Sequence, residues 1–306
     1  MSSLHAPPRL ASSIRTSLSP LRYGPGDPTT SLGALELWRA THTPDGPGTL
    51  RVNWSQLSTS GTADRVQVAT WGPGGGWLSG QVPAMLGELD GGFTFTHAHP
   101  SILRAQRRHP GLRLGASGDL YHELLPVILA QRITAGEACR QWRQLCIELG
   151  EPAPGPHPHL RLPPHPERLA GMPSWWFHPR GVERTRAEAL ITVARHAHRL
   201  WDWCISGSVG AAGNLVRLRG VGEWTIGVVL ATALGEPDAV AVGDYHVKNT
   251  VGWALAGEPR ATDERMLELL EPHRGQRGRV VRLLSLDGAR APKFGPRARV
   301  LPMAQW

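Results

Sequence analysis

Lysine is almost missing from this chain: Lys248 and Lys293 stand alone among 33 basic residues. Arginine carries the charge instead, and its planar fork suits bidentate phosphate contacts better than a point charge does. A genome rich in arginine, alanine, glycine and proline codons produces the same excess. Acids are outnumbered, 25 to 33, and the resulting net charge of +8 points to a polyanionic partner, nucleic acid ahead of an acidic membrane surface. Cysteine is scarce too. Cys139, Cys146 and Cys204 are odd in number and lack C-x-x-C spacing, which excludes a disulfide framework, a structural zinc and an iron–sulfur cluster; they read as reduced core thiols. No run approaches the ~18 apolar residues of a membrane span, so no membrane partner is expected. The first thirty residues contain arginines and serines, no acid before Asp27 and no apolar segment. That excludes a secretory signal and leaves a disordered tail over 1–30, or a composition like that of a transit peptide; the expected location is cytoplasmic and bacterial-type, at the nucleoid through DNA.

Residues 31–100 read as a small, strand-rich α/β unit. "TLRVNWSQL" and "RVQVATW" alternate apolar and polar residues with the period of half-buried strands. The turn "GPGGG" at 72–76 lacks a following Gly-Lys-Ser/Thr, so it does not have the form of a phosphate-binding P-loop. From about 118 the pattern turns helical, and 101–287 is expected to be a mainly α domain. "GDLYHELLPVILAQ" forms one apolar helix, bent or begun near Pro126, and Thr134 and Glu137 open the next with capping-box spacing. Between them Gln131, Arg132 and Ile133 make an exposed corner. The proline-rich stretch 151–166, with His157, His159 and His165, reads as a stiff surface loop. Further helices are expected at about 182–203, 244–256 and 263–285. Residues 271–300 hold seven arginines and one lysine against two acids, the place to look for a basic face. A flexible basic tail is expected over 288–306.

The densest signal is "LVRLRGVGEWTIGVVLATAL", residues 215–234. A short helix ending at Leu218, a turn at Gly220 and Gly222, and an apolar helix from Glu223 make a helix-hairpin-helix. Glycine admits backbone angles other residues resist and removes side chains that would hold a ligand away. The amides of the turn and of the second helix's first residues then suit a phosphate. Read alone, the two glycines equally serve to cap one helix and start the next. Asp244, twenty-two residues beyond Gly222, opens the next helix and by itself is an ordinary N-cap.

Taken together, L-x-G-V-G-x-W-T at 218–225 and D-Y-x-x-K at 244–248 resemble the helix-hairpin-helix GPD superfamily of DNA glycosylases, and within it the DNA-3-methyladenine glycosylase II, or AlkA-like, branch. "HPGLRL" (109–114), "LLPVILAQRIT" (124–134), "RTRAEALITVARHA" (184–197) and "EPHRGQR" (271–277) fall in that branch's order, so the resemblance covers roughly 100–285. It implies a monofunctional N-glycosylase that flips alkylated purines of the 3-methyladenine type out of double-stranded DNA and leaves an abasic site for base excision repair. Asp244 is then the catalytic carboxylate, and Trp224 and Tyr245 line the base pocket. Arg219, Gly220, Val221, Gly222, Thr225 and Lys248 bind DNA, with Gln131 and Arg132 at the corner that fills the vacated stack. Many relatives carry leucine where this chain has Arg132. Bifunctional members carry lysine where this chain has Trp224, which implies no strand cleavage. The resemblance further implies a monovalent cation, Na+ or K+, on the main-chain carbonyls of Val216, Leu218 and Val221, no organic cofactor or redox metal, no obligate protein partner, and a monomer. The pocket is less aromatic than in some relatives, with Val228 and Leu283-Leu284 where aromatics occur. A non-catalytic hairpin protein that binds nucleic acid, or a glycosylase of the same fold for a different damaged base, is the alternative.

Overall fold

Alternating apolar residues build the N-terminal layer. The computed structural model describes residues 2–5, 11–55 and 65–292, and in it β1 (Ser2–His5), β2 (Thr30–Leu32), β3 (Glu36–Thr43), β4 (Gly46–Asn53) and β5 (Arg65–Trp71) form an antiparallel sheet of order β1-β5-β4-β3-β2. Its register pairs Leu37 with Val52 and Val52 with Val68. These side chains, with Leu50 and Val66, bury one face against α1 (Ala11–Leu18) and α2 (Gly75–Met85) through Ile14, Leu18, Leu78 and Val82. The disordered tail expected over 1–30 is therefore corrected for its described part: Ile14, Leu18 and Leu21 are core residues. Their spacing is helical, but the segment is short and serine-rich, and tertiary burial rather than propensity holds it. Of the tail expected at 288–306, residues 293–306 lie outside the described residues.

The sheet's other face is covered by the proline-rich segment. Trp38 stacks on Trp71 with ring centroids 5.2 Å apart, and His157 meets Trp38 edge-on. Leu160 and Leu162 are buried beside Ala40. Arg161 then turns back to donate to the carbonyls of Cys146, Ile147 and Gly150, at 3.0, 3.2 and 2.7 Å, satisfying orphan acceptors at a helix end. So this segment is a fixed layer of the fold, not a spacer.

The helical part comprises α3 (Pro100–Arg108), α4 (Leu120–Leu129), α5 (Ala135–Leu149), α6 (Pro166–Ala170), α7 (Arg184–Arg195), α8 (Ala197–Ile205), α9 (Gly207–Leu215), α10 (Glu223–Ala233), α11 (Tyr245–Ala256), α12 (Asp263–Leu270) and α13 (Arg277–Leu286). Every residue of α4 is buried, at the centre of a core shared with α5, α7 and α10. A second core joins Phe95, Ile102 and Ala105 to Val251, Met266, Leu270, Val280 and Leu283. The helix expected over 182–203 breaks at His196, whose ring Nδ1 bonds the Thr192 carbonyl (2.8 Å). The one expected over 263–285 breaks at Pro272, which lacks the amide that would continue it. No described helix is long and apolar enough to cross a membrane.

The two layers are joined by a buried polar cluster. Arg39 of β3 pairs with Glu123 of α4 at 2.6 Å and donates to the Leu21 carbonyl at 2.8 Å. His122 bonds Thr29 and Thr41 through its two ring nitrogens, each at 3.0 Å, and Thr41 donates to Asp119. Burial, with Arg39 nearby, holds the His122 imidazole well below its ordinary range, so it is neutral at neutral pH. Of the basic face expected over 271–300, Lys293, Arg297 and Arg299 lie outside the described residues and Arg290 is exposed, while the other four arginines are engaged within the fold. Arg274 pairs with Glu271, Arg277 with Asp238, and the buried Arg279 with Asp90. Arg282 donates to the Thr16 carbonyl and the Ser19 hydroxyl.

Candidate nucleic-acid interface and active site

The hairpin is seated on α7. Helix α9 ends at Leu215, earlier than expected, and two turn bonds, Leu218 N–H to Leu215 and Val221 N–H to Leu218 (3.0 Å each), carry the chain round. Leu218 and Val221 are buried and anchor the turn. Gly220 has φ +88°, and a Cβ there would stand 2.5 Å from the Cβ of Ala189, so both conformation and close packing demand glycine. Gly222 differs. Its φ of −101° is open to any residue and a Cβ would touch nothing within 4 Å, so its bareness leaves the turn accessible. As N-cap of α10 it brings no side-chain cap, and the helix's first amides lack an intrahelical acceptor. Arg219 is 88% exposed, with Glu188 at 3.8 Å; Glu188 is itself engaged by Arg184 at 2.6 Å.

The corner between α4 and α5 is tied to this turn. Gln131 donates through Nε2 to the Gly220 carbonyl (2.9 Å) and to the Thr225 hydroxyl (3.0 Å), and Thr225 is 1% exposed. Two of the side chains expected on DNA thus face each other across the fold. Arg132, next in sequence, is exposed and has φ +60°, alone among described non-glycine residues in being positive. Holding an arginine in the left-handed region costs about 1 kcal/mol or more.

Asp244 is placed by a segment threaded between α10 and α13. A Cβ on Gly227 would lie 2.2 Å from the Val240 carbonyl oxygen, and one on Gly278 2.4 Å from that of Ala239. Bare helix surfaces on both sides therefore let the backbone of 237–243 run through. Asp238 pins its start, accepting from the amides of Gly275 and Arg277 (2.8 and 3.0 Å) and from the Arg277 guanidinium. Asp263 pins its end, taking the Gly243 N–H at 2.8 Å and Lys248 Nζ at 2.7 Å. Burial opposes the Asp263 charge, but Lys248 and the Gly243 amide together hold its carboxyl below the ordinary range.

The carboxylate that results has three donors. Asp244 Oδ1 accepts from the amides of His246 (2.7 Å) and Val247 (3.0 Å), and Oδ2 accepts from the indole N–H of Trp224 (3.0 Å). Trp224 and Asp244 are both half-buried. Tyr245 does not join them: it is 70% exposed and packs edge-on against His246. Lys248 points at Asp263 rather than standing free. Of the carbonyls expected to hold a cation, that of Leu218 accepts the Val221 amide, while no turn bond falls on those of Val216 and Val221. Neutral carbonyl oxygens with spare lone pairs and no carboxylate suit a monovalent ion. Among the described residues no cluster of three or more His, Cys, Asp or Glu has the makings of a metal site.

No protein-family model matches the chain. A Mycobacterium tuberculosis protein named "Probable bifunctional transcriptional activator/DNA repair enzyme AlkA" is 28% identical over 156 residues, 49% of this chain and 30% of that protein; the match thus spans under a third of the relative's length. Among solved structures, a 3-methyladenine DNA glycosylase from Archaeoglobus fulgidus superposes with a TM-score of 0.70 at 18% identity, over 94% of this chain and 99% of that one. The fold is that of this 3-methyladenine DNA glycosylase. A Clostridium acetobutylicum 8-oxoguanine glycosylase/lyase, solved with double-stranded DNA, shares the architecture more distantly, with a TM-score of 0.57 at 12% identity over 82% of this chain and 87% of that one.

Sequence reasoning missed Asp263, Asp238 and the glycine pair 227 and 278. A signal existed for Asp263, since Thr262 and Asp263 open α12 as N-cap and first-turn acid. Nothing local distinguished an acid that also anchors the loop before Asp244.

Proposed function

We propose that the chain is a monofunctional DNA glycosylase that hydrolyses the bond between deoxyribose and an alkylated purine of the 3-methyladenine type, leaving an abasic site. The observation that carries this reading is the Asp244 carboxylate, whose Oδ1 makes an ordinary N-cap but whose Oδ2 is held by a tryptophan from the hairpin helix. An N-cap alone needs no second partner, which weighs against a hairpin that only binds nucleic acid. Leaving of the base develops positive charge on the sugar, and a fixed carboxylate stabilises that charge and positions water. The base must be extruded for Asp244 to face its sugar. Open amides of the hairpin and the exposed Arg219 would take the phosphates, and Na+ or K+ on the carbonyls of Val216, Leu218 and Val221 would supply positive charge there. Strand cleavage by an amine requires a free lysine near the sugar. Lys248 is bound to Asp263, and Trp224 occupies the hairpin position, so hydrolysis alone is expected.

The test is incubation of the protein with methylated duplex DNA, reading free base and strand integrity in the same samples. Release of 3-methyladenine with intact strands supports the reading; tight DNA binding with no release refutes it. Arg132 supplies a further expectation. Arg132→Gly keeps stability within about 1 kcal/mol, because relief of the left-handed strain offsets glycine's greater unfolded-state entropy. The same change empties the corner, so base extrusion, followed by 2-aminopurine fluorescence beside the lesion, falls several-fold.

A further inference from the structure

Resting on the glycosylase reading, we infer that Oδ2 of Asp244 is the oxygen that faces the reacting sugar and that Trp224 is the positioning residue that aims it, rather than chiefly a wall of the base pocket. The two oxygens of the carboxylate are not equivalent. Oδ1 accepts two amides, from His246 and Val247, and these occupy its lone pairs. Oδ2 accepts one donor, the Trp224 indole at 3.0 Å, so one of its lone-pair directions stays open. An indole N–H donates and cannot accept, so the contact commits Oδ2 to accepting and fixes the direction of the lone pair that remains.

The indole is itself held. Trp224 lies in the first turn of α10 and packs on the helical core, and the backbone at Gly243 passes over it, a Cβ there standing 3.9 Å from the Trp224 Cβ. Asp263 fixes the same loop through the Gly243 amide. Helix α10, through the indole, and α11, through its first amides, thus each hold one oxygen of the carboxylate. Tyr245, 70% exposed, offers Asp244 no comparable support.

The experiment separates donor from aromatic face. Trp224→Phe keeps a ring and loses the N–H, and incorporation of benzothienylalanine at 224 replaces N–H by sulfur at nearly constant shape, which keeps the test valid if the Phe variant folds poorly. Single-turnover release of cationic 3-methyladenine and of neutral hypoxanthine, with Kd for duplex DNA containing an abasic-site analogue, is measured for each. The expected result is a loss of about 10- to 100-fold in rate, the effect of deleting a hydrogen bond to a charged group. Both bases should suffer equally, with Kd unchanged. The Trp224 indole proton resonance should also move upfield in Asp244→Ala. Full rates in both variants, or a loss confined to the cationic base, would overturn the inference while leaving the glycosylase reading intact. Failure of the wild type to release any base would overturn both.

Discussion

Asp244→Asn will bind duplex DNA as the wild type does and release bases about a thousandfold more slowly or less. Asparagine is as good an N-cap as aspartate, so α11 keeps its start and the hairpin, with the phosphate contacts proposed for it, is undisturbed. What disappears is the negative charge facing the sugar, and loss of one preorganised electrostatic contact in a site of this kind costs about 3–4 kcal/mol of barrier. The amide has a second defect. If its oxygen caps the His246 and Val247 amides, its NH2 meets the Trp224 indole N–H, donor against donor; flipped, it meets the two amides instead. Either arrangement forfeits a contact worth about 1 kcal/mol, which thermal unfolding should register as a small loss. Single-turnover base release beside anisotropy on fluorescent duplex checks the rate and affinity together. A variant that loses both while folding normally would move Asp244 out of the chemistry and into the binding surface.

Arg39→Met will lose about 3–5 kcal/mol of stability, because it removes one partner of a buried ion pair and leaves the other uncompensated. Arg39 and Glu123 are 1% and 6% exposed and face each other at 2.6 Å across the junction between β3 and α4. Burial already raises the Glu123 carboxyl, with Arg39 pulling it down and Asp119 pushing it up. Without the guanidinium, the folded protein keeps Glu123 protonated to higher pH than the unfolded chain does. The native state then binds more protons, so the stability of the variant falls as pH rises above about 4.5 and the deficit grows toward neutrality. Urea unfolding of wild type and variant at pH 5 and pH 7.5 measures this; an equal deficit at both would place the cost in lost packing instead. Because α4 leads directly to Gln131 and Arg132, the same variant should show a loosened corner beside the hairpin.

The hairpin was legible because its signals are local. Glycines at 220 and 222, an apolar helix behind them, and an aspartate opening α11 each declare themselves within a few residues. Tyr245 shows the limit of adjacency. Successive residues on a helix diverge by about 100°, so the neighbour of a well-placed N-cap points elsewhere, and here it points to solvent. The basic face misled for another reason. Arg277 finds Asp238 39 residues away and Arg279 finds Asp90 at a separation of 189, distances at which no sequence pattern shows that a charge is already spent. Gly227 and Gly278 were silent because a helical glycine reads only as a weak spot until a second backbone is seen against it. In the strand-rich unit the alternation marked β4 and β5, while β1, β2 and β3 were not singled out and α1 escaped because its burial is supplied by the sheet. Gln131 and Thr225 were both expected on DNA, yet Thr225 is buried and the two bond each other, a property of three elements meeting.

The threading of residues 237–243 between α10 and α13 also sets an order of events in time. Gly278 belongs to the last described helix, which is fastened to the beginning of the chain through Arg282 and Thr16 and through Arg279 and Asp90. A ribosome delivers the chain from its N-terminus at roughly 5–20 residues per second, so the turn at Gly220 can settle on α7 while α13 is still being made. The turn at Gly220 can therefore be set before the loop that carries Asp244 is clamped on its second side.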